Sequence, residues 1–375
     1  MALELEGTTC PYSVANATVD KLEFHFHVHI DNVLTRYRKL ELLVKDQFHK
    51  GGMTMITEVY PNIFKNEIPL PNNPLRSINS YIIISKNRNL IIDTGFNTPE
   101  CQNELMKGLD ELNINFHKTD LLITHLHMDH SGLAPFLKQH GVQAVYFSKI
   151  DGEIFNQISK RDKFYKTLNE ILGFKSDNVL EFGKEFGTRL IEPLEFMPLF
   201  EGEKIVIGDY CFEVVDIPGH TPGHIGLYER RHKLFFCGDH ILDQITPNIT
   251  FWGFKQDILA TYLSNLNKVY EYDVDYLFTA HRNIIRDHQK RILELLGHHE
   301  VRLQEILTIL KDGKRTASEM AASMHWDLSH KRWEDFPHSQ KWFASGEALS
   351  HLEHLVHIGL VGREDKTGML IYGLN

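Results

Sequence analysis

Six consecutive residues, His125-Leu126-His127-Met128-Asp129-His130, bring three imidazoles and a carboxylate together. Imidazole nitrogens and carboxylate oxygens are the donors that bind zinc, at roughly 2.0–2.2 Å. A His-x-His pair in a loop at a strand end sets two imidazoles on one side of a turn. The Asp-His that follows can serve a second ion beside the first. The competing reading is a chance histidine-rich loop, but no packing requirement asks for this run. Three further segments weaken that reading: Pro218-Gly219-His220-Thr221-Pro222-Gly223-His224, Cys237-Gly238-Asp239-His240 and Thr279-Ala280-His281. Each follows an apolar stretch and sets a His or Asp beside a small residue at the expected carboxyl end of a strand, where α/β layers place their sites.

The elements that must position these residues can be read around them. Residues 80–85 and 89–93 are apolar, β-branched runs separated by Lys86-Asn87-Arg88, a hairpin pattern. A short strand over 121–124 runs into the histidine cluster. Helical stretches at 99–112 and 132–140 alternate with these strands, which predicts layers of helix on sheet. Strand patterns return at 204–207, 212–216, 225–228 and 233–237, and a strand at 276–279 followed by a helix over 283–296 closes the core. Residues 152–197 are charged and aromatic-rich, and are expected to form a helical cap over the site.

Both ends carry additional material. Residues 1–52 read as an N-terminal extension, with period-two alternation over 21–30, helix-like spacing over 31–50 and a break at Gly51-Gly52. In the tail, an amphipathic helix is expected over 301–311. Thr316-Ala317-Ser318-Glu319 spells a capping box for a second helix over 316–323. A third helix over 345–358 ends at Gly359, and a hairpin joins 360–363 to 369–374. Three helices and a terminal hairpin predict a winged-helix-like unit over 299–375, leaving 53–298 as the central domain.

With its motif set His125-Leu126-His127-Met128-Asp129-His130, PGHTPGH at 218–224, Gly238-Asp239-His240, Ala280-His281 and the earlier Ile92-Asp93-Thr94-Gly95, the stretch 56–290 closely resembles the metallo-β-lactamase superfamily. The resemblance implies an α+β fold, an αββα sandwich with the inserted cap and the C-terminal unit added to it. It implies that His125, His127 and His220 hold one metal, that Asp129, His130 and His281 hold a second, and that Asp239 bridges both. Asp93 would orient a ligand or support its loop. Two divalent ions, zinc first and iron or manganese as alternatives, would acidify a shared water. The resulting hydroxide, oriented by Asp129 as the catalytic residue, would attack a carbonyl or phosphoryl centre. The tight PGHTPGH segment and the single bridging carboxylate resemble the glyoxalase II branch and imply thioester, ester or lactone hydrolysis. Because the tail differs from a glutathione-gripping helical domain, three other readings stay open: a nuclease of single-stranded RNA or DNA, an iron-dependent sulfur dioxygenase, and a binding protein without turnover.

Composition narrows the partners. The 375-residue chain is 42% hydrophobic and carries a formal charge of -10. No apolar run approaches the ~20 residues of a membrane span. Residues 1–16 lack the basic start and apolar core of a signal peptide. The four cysteines are scattered with no CxxC pair, as in a reduced compartment. A cytoplasmic enzyme of a small-molecule substrate is expected. Residues 301–375 hold nine Lys/Arg against ten Asp/Glu, a poor basis for neutralising phosphates. The appended units suggest a homodimer.

Of the 23 histidines, most must lie outside any one site. His25, His27 and His29 share one strand face and read as packing or a dimer contact. His351, His354 and His357 recur at helical spacing and read as a helix face. His224 is expected to brace the loop behind His220, and His240 either lines the pocket or packs behind it. Arg76, Asn79 and Tyr81 are candidates to face the site. Tyr228 faces the site or is core, and residues 251–254 read as a pocket wall or as packing against the cap.

Overall fold

Ile82 and Ile83 are both fully buried, yet they pack into different cores. Successive strand residues point to opposite faces, so a strand with a core on each side has no polar face. The same division separates Ile91 from Ile92, Leu121 from Leu122, Val214 from Val215, Phe235 from Phe236 and Leu277 from Phe278. Two sheets therefore meet on a shared inner core, and each buries its outer face under helices. Each fully buried Leu, Ile or Phe contributes about 1.5–3 kcal/mol.

The structure is a computed structural model that describes residues 56–71, 73–158, 171–172, 193–326, 332–366 and 368–375. The first sheet contains β1 (Ile56–Tyr60), β2 (Ile63–Pro69), β3 (Ser77–Ile83), β4 (Asn89–Ile92), β5 (Thr119–Leu122), β6 (Val145–Ser148) and β7 (Met197–Leu199), in chain order. Its β1–β4 pairings are antiparallel, and β4–β7 are parallel. The second sheet contains β8 (Lys204–Ile207), β9 (Tyr210–Asp216), β10 (Ile225–Glu229), β11 (Leu234–Gly238) and β12 (Tyr276–Thr279). Only its β11–β12 pairing is parallel.

Helix α1 (Pro99–Glu111) starts with proline in its first turn, and the Thr98 side chain accepts from the Cys101 N–H. It buries Cys101, Leu105 and Leu109 against the first sheet. Short helices α2 (Met128–Ser131) and α3 (Ala134–Gln139) follow β5, and α4 (Lys149–Ile158) follows β6. The second sheet is covered by α5 (Ile258–Tyr270), α6 (His288–Ile309), α7 (Ala317–Ser323) and α8 (His338–His357). This is the αββα arrangement expected from the sequence.

Two helix boundaries differ from the sequence reading. The helices expected over 283–296 and 301–311 are one continuous α6. Gly297 and the polar residues after it suggest a break, but His299, Arg302, Leu303 and Ile306 continue a single buried face. Residues 283–287 form a loop instead: Ile285 bridges Leu277, and the Asp287 side chain caps α6 by accepting from Lys290 N–H. Helix α8 begins at His338, not near Ser345, and Gly346 lies inside it. There the missing Cβ lets the loop at Thr250 come close.

Helix α7 opens with the expected capping box, Thr316 and Glu319 each satisfying the other's backbone. Strands β13 (Val361–Lys366) and β14 (Met369–Leu374) form an antiparallel hairpin. Leu303, Met320, Leu352 and Tyr372 share one hydrophobic cluster with Val215, Phe235 and Leu277 of the second sheet. Helix α4 opens the segment expected as a cap, but 159–170 and 173–192 lie outside the described residues. So do the strand and helix expected within 1–52, with His25, His27 and His29. No described helix is long and apolar enough to cross a membrane.

Candidate metal centre

Five strand ends deliver the site. Asp93 follows β4, the histidine run follows β5, the 218–224 loop follows β9, Asp239 follows β11 and His281 follows β12. His127 is the N-cap residue of α2, whose first turns carry Asp129 and His130. Donor atoms of His125, His127 and His220 lie within 4.8 Å of one another, as do those of Asp129, His130 and His281, and those of His125, His130 and Asp239. The seven side chains singled out from the sequence thus converge, as two groups meeting at Asp239.

The outward ring nitrogens explain how each imidazole is aimed. His220 Nδ1 donates to the Asn248 carbonyl at 2.8 Å, and His281 Nδ1 donates to the Ser77 carbonyl at 2.6 Å. His130 Nδ1 donates to Asp93 Oδ2 at 2.8 Å. The Thr124 hydroxyl donates to that same carboxylate oxygen at 2.8 Å, so it accepts from His125 Nδ1 at 3.1 Å. With Nδ1 protonated in all four rings, each Nε2 turns an open lone pair inward. His127 is the exception: its Nδ1 faces inward, 3.0 Å from His125 Nε2. The inward Nε2 atoms of His130, His220 and His281, and Asp239 Oδ1, are buried without a hydrogen-bond partner. Buried polar atoms are rarely left unpaired, and a set of lone pairs aimed at one another fits cations.

Asp239 divides its two oxygens. Oδ2 lies 3.6 Å from His220 Nε2, while Oδ1 lies 3.4 Å from both His130 Nε2 and His281 Nε2. Asp129 Oδ2 is 3.4 Å from His281 Nε2 and 3.9 Å from His130 Nε2. The electrostatics follow this division. Burial, reinforced by neighbouring imidazoles, holds His125 well below the ordinary range; burial takes His127 down to about 3 and also lowers His220. Burial also opposes charge on His130 and His281, but the carboxylates of Asp239 and its neighbours outweigh it. They raise His130 well above its usual range and His281 to about 9. The second group therefore attracts positive charge more strongly than the first.

A profile of the metallo-beta-lactamase superfamily matches residues 73–281. The chain belongs to this superfamily. It is 33% identical over 139 residues to the hydroxyacylglutathione hydrolase GloC of Haemophilus influenzae, a match spanning 36% of this chain and 54%, about half, of that protein. It is 23% identical over 305 residues to the atrochrysone carboxyl ACP thioesterase nsrC of Aspergillus novofumigatus, covering 76% of this chain and 78% of the relative. The crystal structure of a metallo-beta-lactamase family protein from Thermus thermophilus superposes with a TM-score of 0.73 at 26% identity, over 85% of this chain and 100% of that one.

Within this superfamily fold, the other candidates sort by contact. His224 stacks on His125 with ring centroids 4.7 Å apart, and its Nε2 accepts from Asp239 N–H at 3.1 Å. His240 is fully buried beside Tyr262 and belongs to neither donor group. Asn79 Nδ2 and the Tyr81 hydroxyl both donate to the Thr279 carbonyl, bracing the strand that carries His281. Arg76 is exposed. Tyr228 is core and donates to the Asp273 carbonyl. Trp252 Nε1 donates to the His220 carbonyl at 3.2 Å, and its ring lies 6.4 Å from that of His127. His351 and His354 bond to His299 and Asp257, as a packed helix face would.

Sequence reasoning missed Thr124, Asn248, Asp151 and Glu347. Thr124 was legible only as a strand end. Gly238, with φ at 50°, is needed where it stands, because a Cβ would lie 2.7 Å from Thr124 Oγ1 and 2.8 Å from the His224 ring.

Proposed function

We propose that this chain is a dinuclear metal-dependent hydrolase of small acyl substrates: thioesters, esters or lactones. His125, His127 and His220 would hold one ion, Asp129, His130 and His281 the other, and Asp239 both. The observation that carries this reading is the split of Asp239, one oxygen toward each group. Zinc suits the nitrogen and oxygen donors, and iron and manganese share that chemistry. When bound, such a pair supplies Lewis acidity and a water acidified toward neutral pH.

The chain's own residues account for the rest. Asp129, whose Oδ2 lies 3.4 Å from His281 Nε2, would orient the attacking water. Of the seven side chains only His127 is half-buried, and beside it Met128 and Trp252 are half-buried too. Substrate therefore enters on that side, along an apolar rim that suits an acyl group better than a phosphodiester. The relatives named for hydroxyacylglutathione hydrolysis and ACP thioester cleavage support this class. A panel of thioesters, esters, lactones and single-stranded RNA, assayed with zinc-, iron- and manganese-reconstituted protein, tests it. Chelator-sensitive acyl hydrolysis is expected. Turnover of RNA alone, or of nothing, would overturn the proposal.

A further inference from the structure

Asp151 lies in α4, outside all four metal-binding segments, and its side chain is fully buried. Its side chain accepts from neutral donors in two different loops. Oδ2 accepts from the Leu126 N–H at 3.0 Å and from the Thr221 hydroxyl at 2.6 Å. Oδ1 accepts from the Gly223 N–H at 2.7 Å. Burial raises this carboxyl to about 6, with the three donors pulling the other way. A buried carboxylate is costly to keep unless its hydrogen bonds are complete, and here they join the 125–130 loop to the 218–224 loop.

The placement is selective. His125 and His127 flank Leu126, and His220 precedes Thr221. Every member of the first donor group is thus one residue from an Asp151 contact. Asp129, His130 and His281 have no such link, since Asp93 holds His130 and the Ser77 carbonyl holds His281. The approach of the second loop depends on Gly223, where a Cβ would lie 2.7 Å from Asp151 N and 2.8 Å from its Oδ1. Asp151 is itself tied to the end of β6, its N–H donating to Ser148 Oγ at 3.2 Å.

We propose that Asp151 is a positioning residue that fixes the separation of His125 and His127 from His220, and so governs metal affinity at the first group while leaving the second intact. This rests on the dinuclear reading above.

The test is zinc titration of the metal-stripped full chain against a chromophoric chelator, for wild type, Asp151→Asn and Thr221→Val. His220→Ala and His281→Ala supply the reference constant of each site. An asparagine keeps one oxygen and must turn its NH2 toward Gly223 N–H or toward the Leu126 and Thr221 donors. Wild type should take up two equivalents. Asp151→Asn should bind one of them roughly 10–100-fold more weakly, the usual loss when an outer partner of a ligand is removed, with the second constant unchanged. Thr221→Val, which loses one of three donors, should weaken the same site by less. Apo-protein melting curves report whether each variant folds, and if Asp151→Asn does not, Thr221→Val decides. A wild type that takes up no zinc would sink the dinuclear reading and this inference with it. Two equivalents in wild type, with unchanged constants or equal weakening of both sites in the variants, would overturn the role of Asp151 alone.

Discussion

Asp93 Oδ2 lies 2.8 Å from His130 Nδ1, and Asp93 reaches it from a left-handed backbone conformation, φ 59°. Asp and Asn tolerate that conformation better than most residues. Its carboxylate also accepts from the Thr124 N–H at 2.9 Å and hydroxyl at 2.8 Å, so three donors converge on one anion. Asp93→Asn keeps the backbone tolerance and one oxygen but sets an NH2 against a donor. Metal affinity at the His130 group should fall about 10–100-fold, read by competition with a chelator. Affinity equal to wild type would show that this hydrogen bond does not aim His130.

Gly346 gives a prediction whose sign is informative. Alanine is the better helix former, by about 0.8–1 kcal/mol in an exposed interior position. Here the added methyl would fall against Thr250 Oγ1, in a buried contact between α8 and the loop that carries Asn248. Overpacking costs about 1–3 kcal/mol, so Gly346→Ala should be net destabilised in urea melts. A stabilised variant would mean that α8 does not press on this loop.

Glu347 sets a pH dependence. Burial lifts its carboxyl from 4.5 to about 7, although Arg302 lies 3.9 Å away and Asn248 Nδ2 donates to it at 2.8 Å. A carboxyl with a raised folded-state pKa holds its proton more tightly in the folded chain. Between pH 4.5 and about 7 the folded chain therefore binds more protons, and stability falls as pH rises. The loss above that window is on the order of 3 kcal/mol, from about 1.4 kcal/mol per pKa unit. Glu347→Gln should flatten the stability profile across the window and be more stable than wild type at pH 8. An unchanged slope would place the proton elsewhere.

What could be read from the sequence depended on which part of each residue does the work. The seven convergent side chains were legible because their chemistry lies in the side chains and their spacing places them at strand ends. The apolar, β-branched runs at 80–85 and 89–93 likewise announced paired strands, and the structure adds that they are buried on both faces. The supports were not legible. Asn248 and Ser77 act through backbone carbonyls, which every residue has. Asp151 accepts from the backbone of Leu126 and Gly223 across 25 and 72 positions, a relation with no local spacing. The divided helix has the same origin: Gly297 interrupts the apolar pattern, and packing carries α6 through it.

The central claim is that two cations sit on either side of Asp239. Anomalous diffraction at the zinc edge, from crystals grown with zinc, tests it most directly. The account predicts two peaks about 3.5–4 Å apart, one among His125, His127 and His220, the other among Asp129, His130 and His281, with Asp239 between them. A single peak, or none within reach of Asp239, would contradict it.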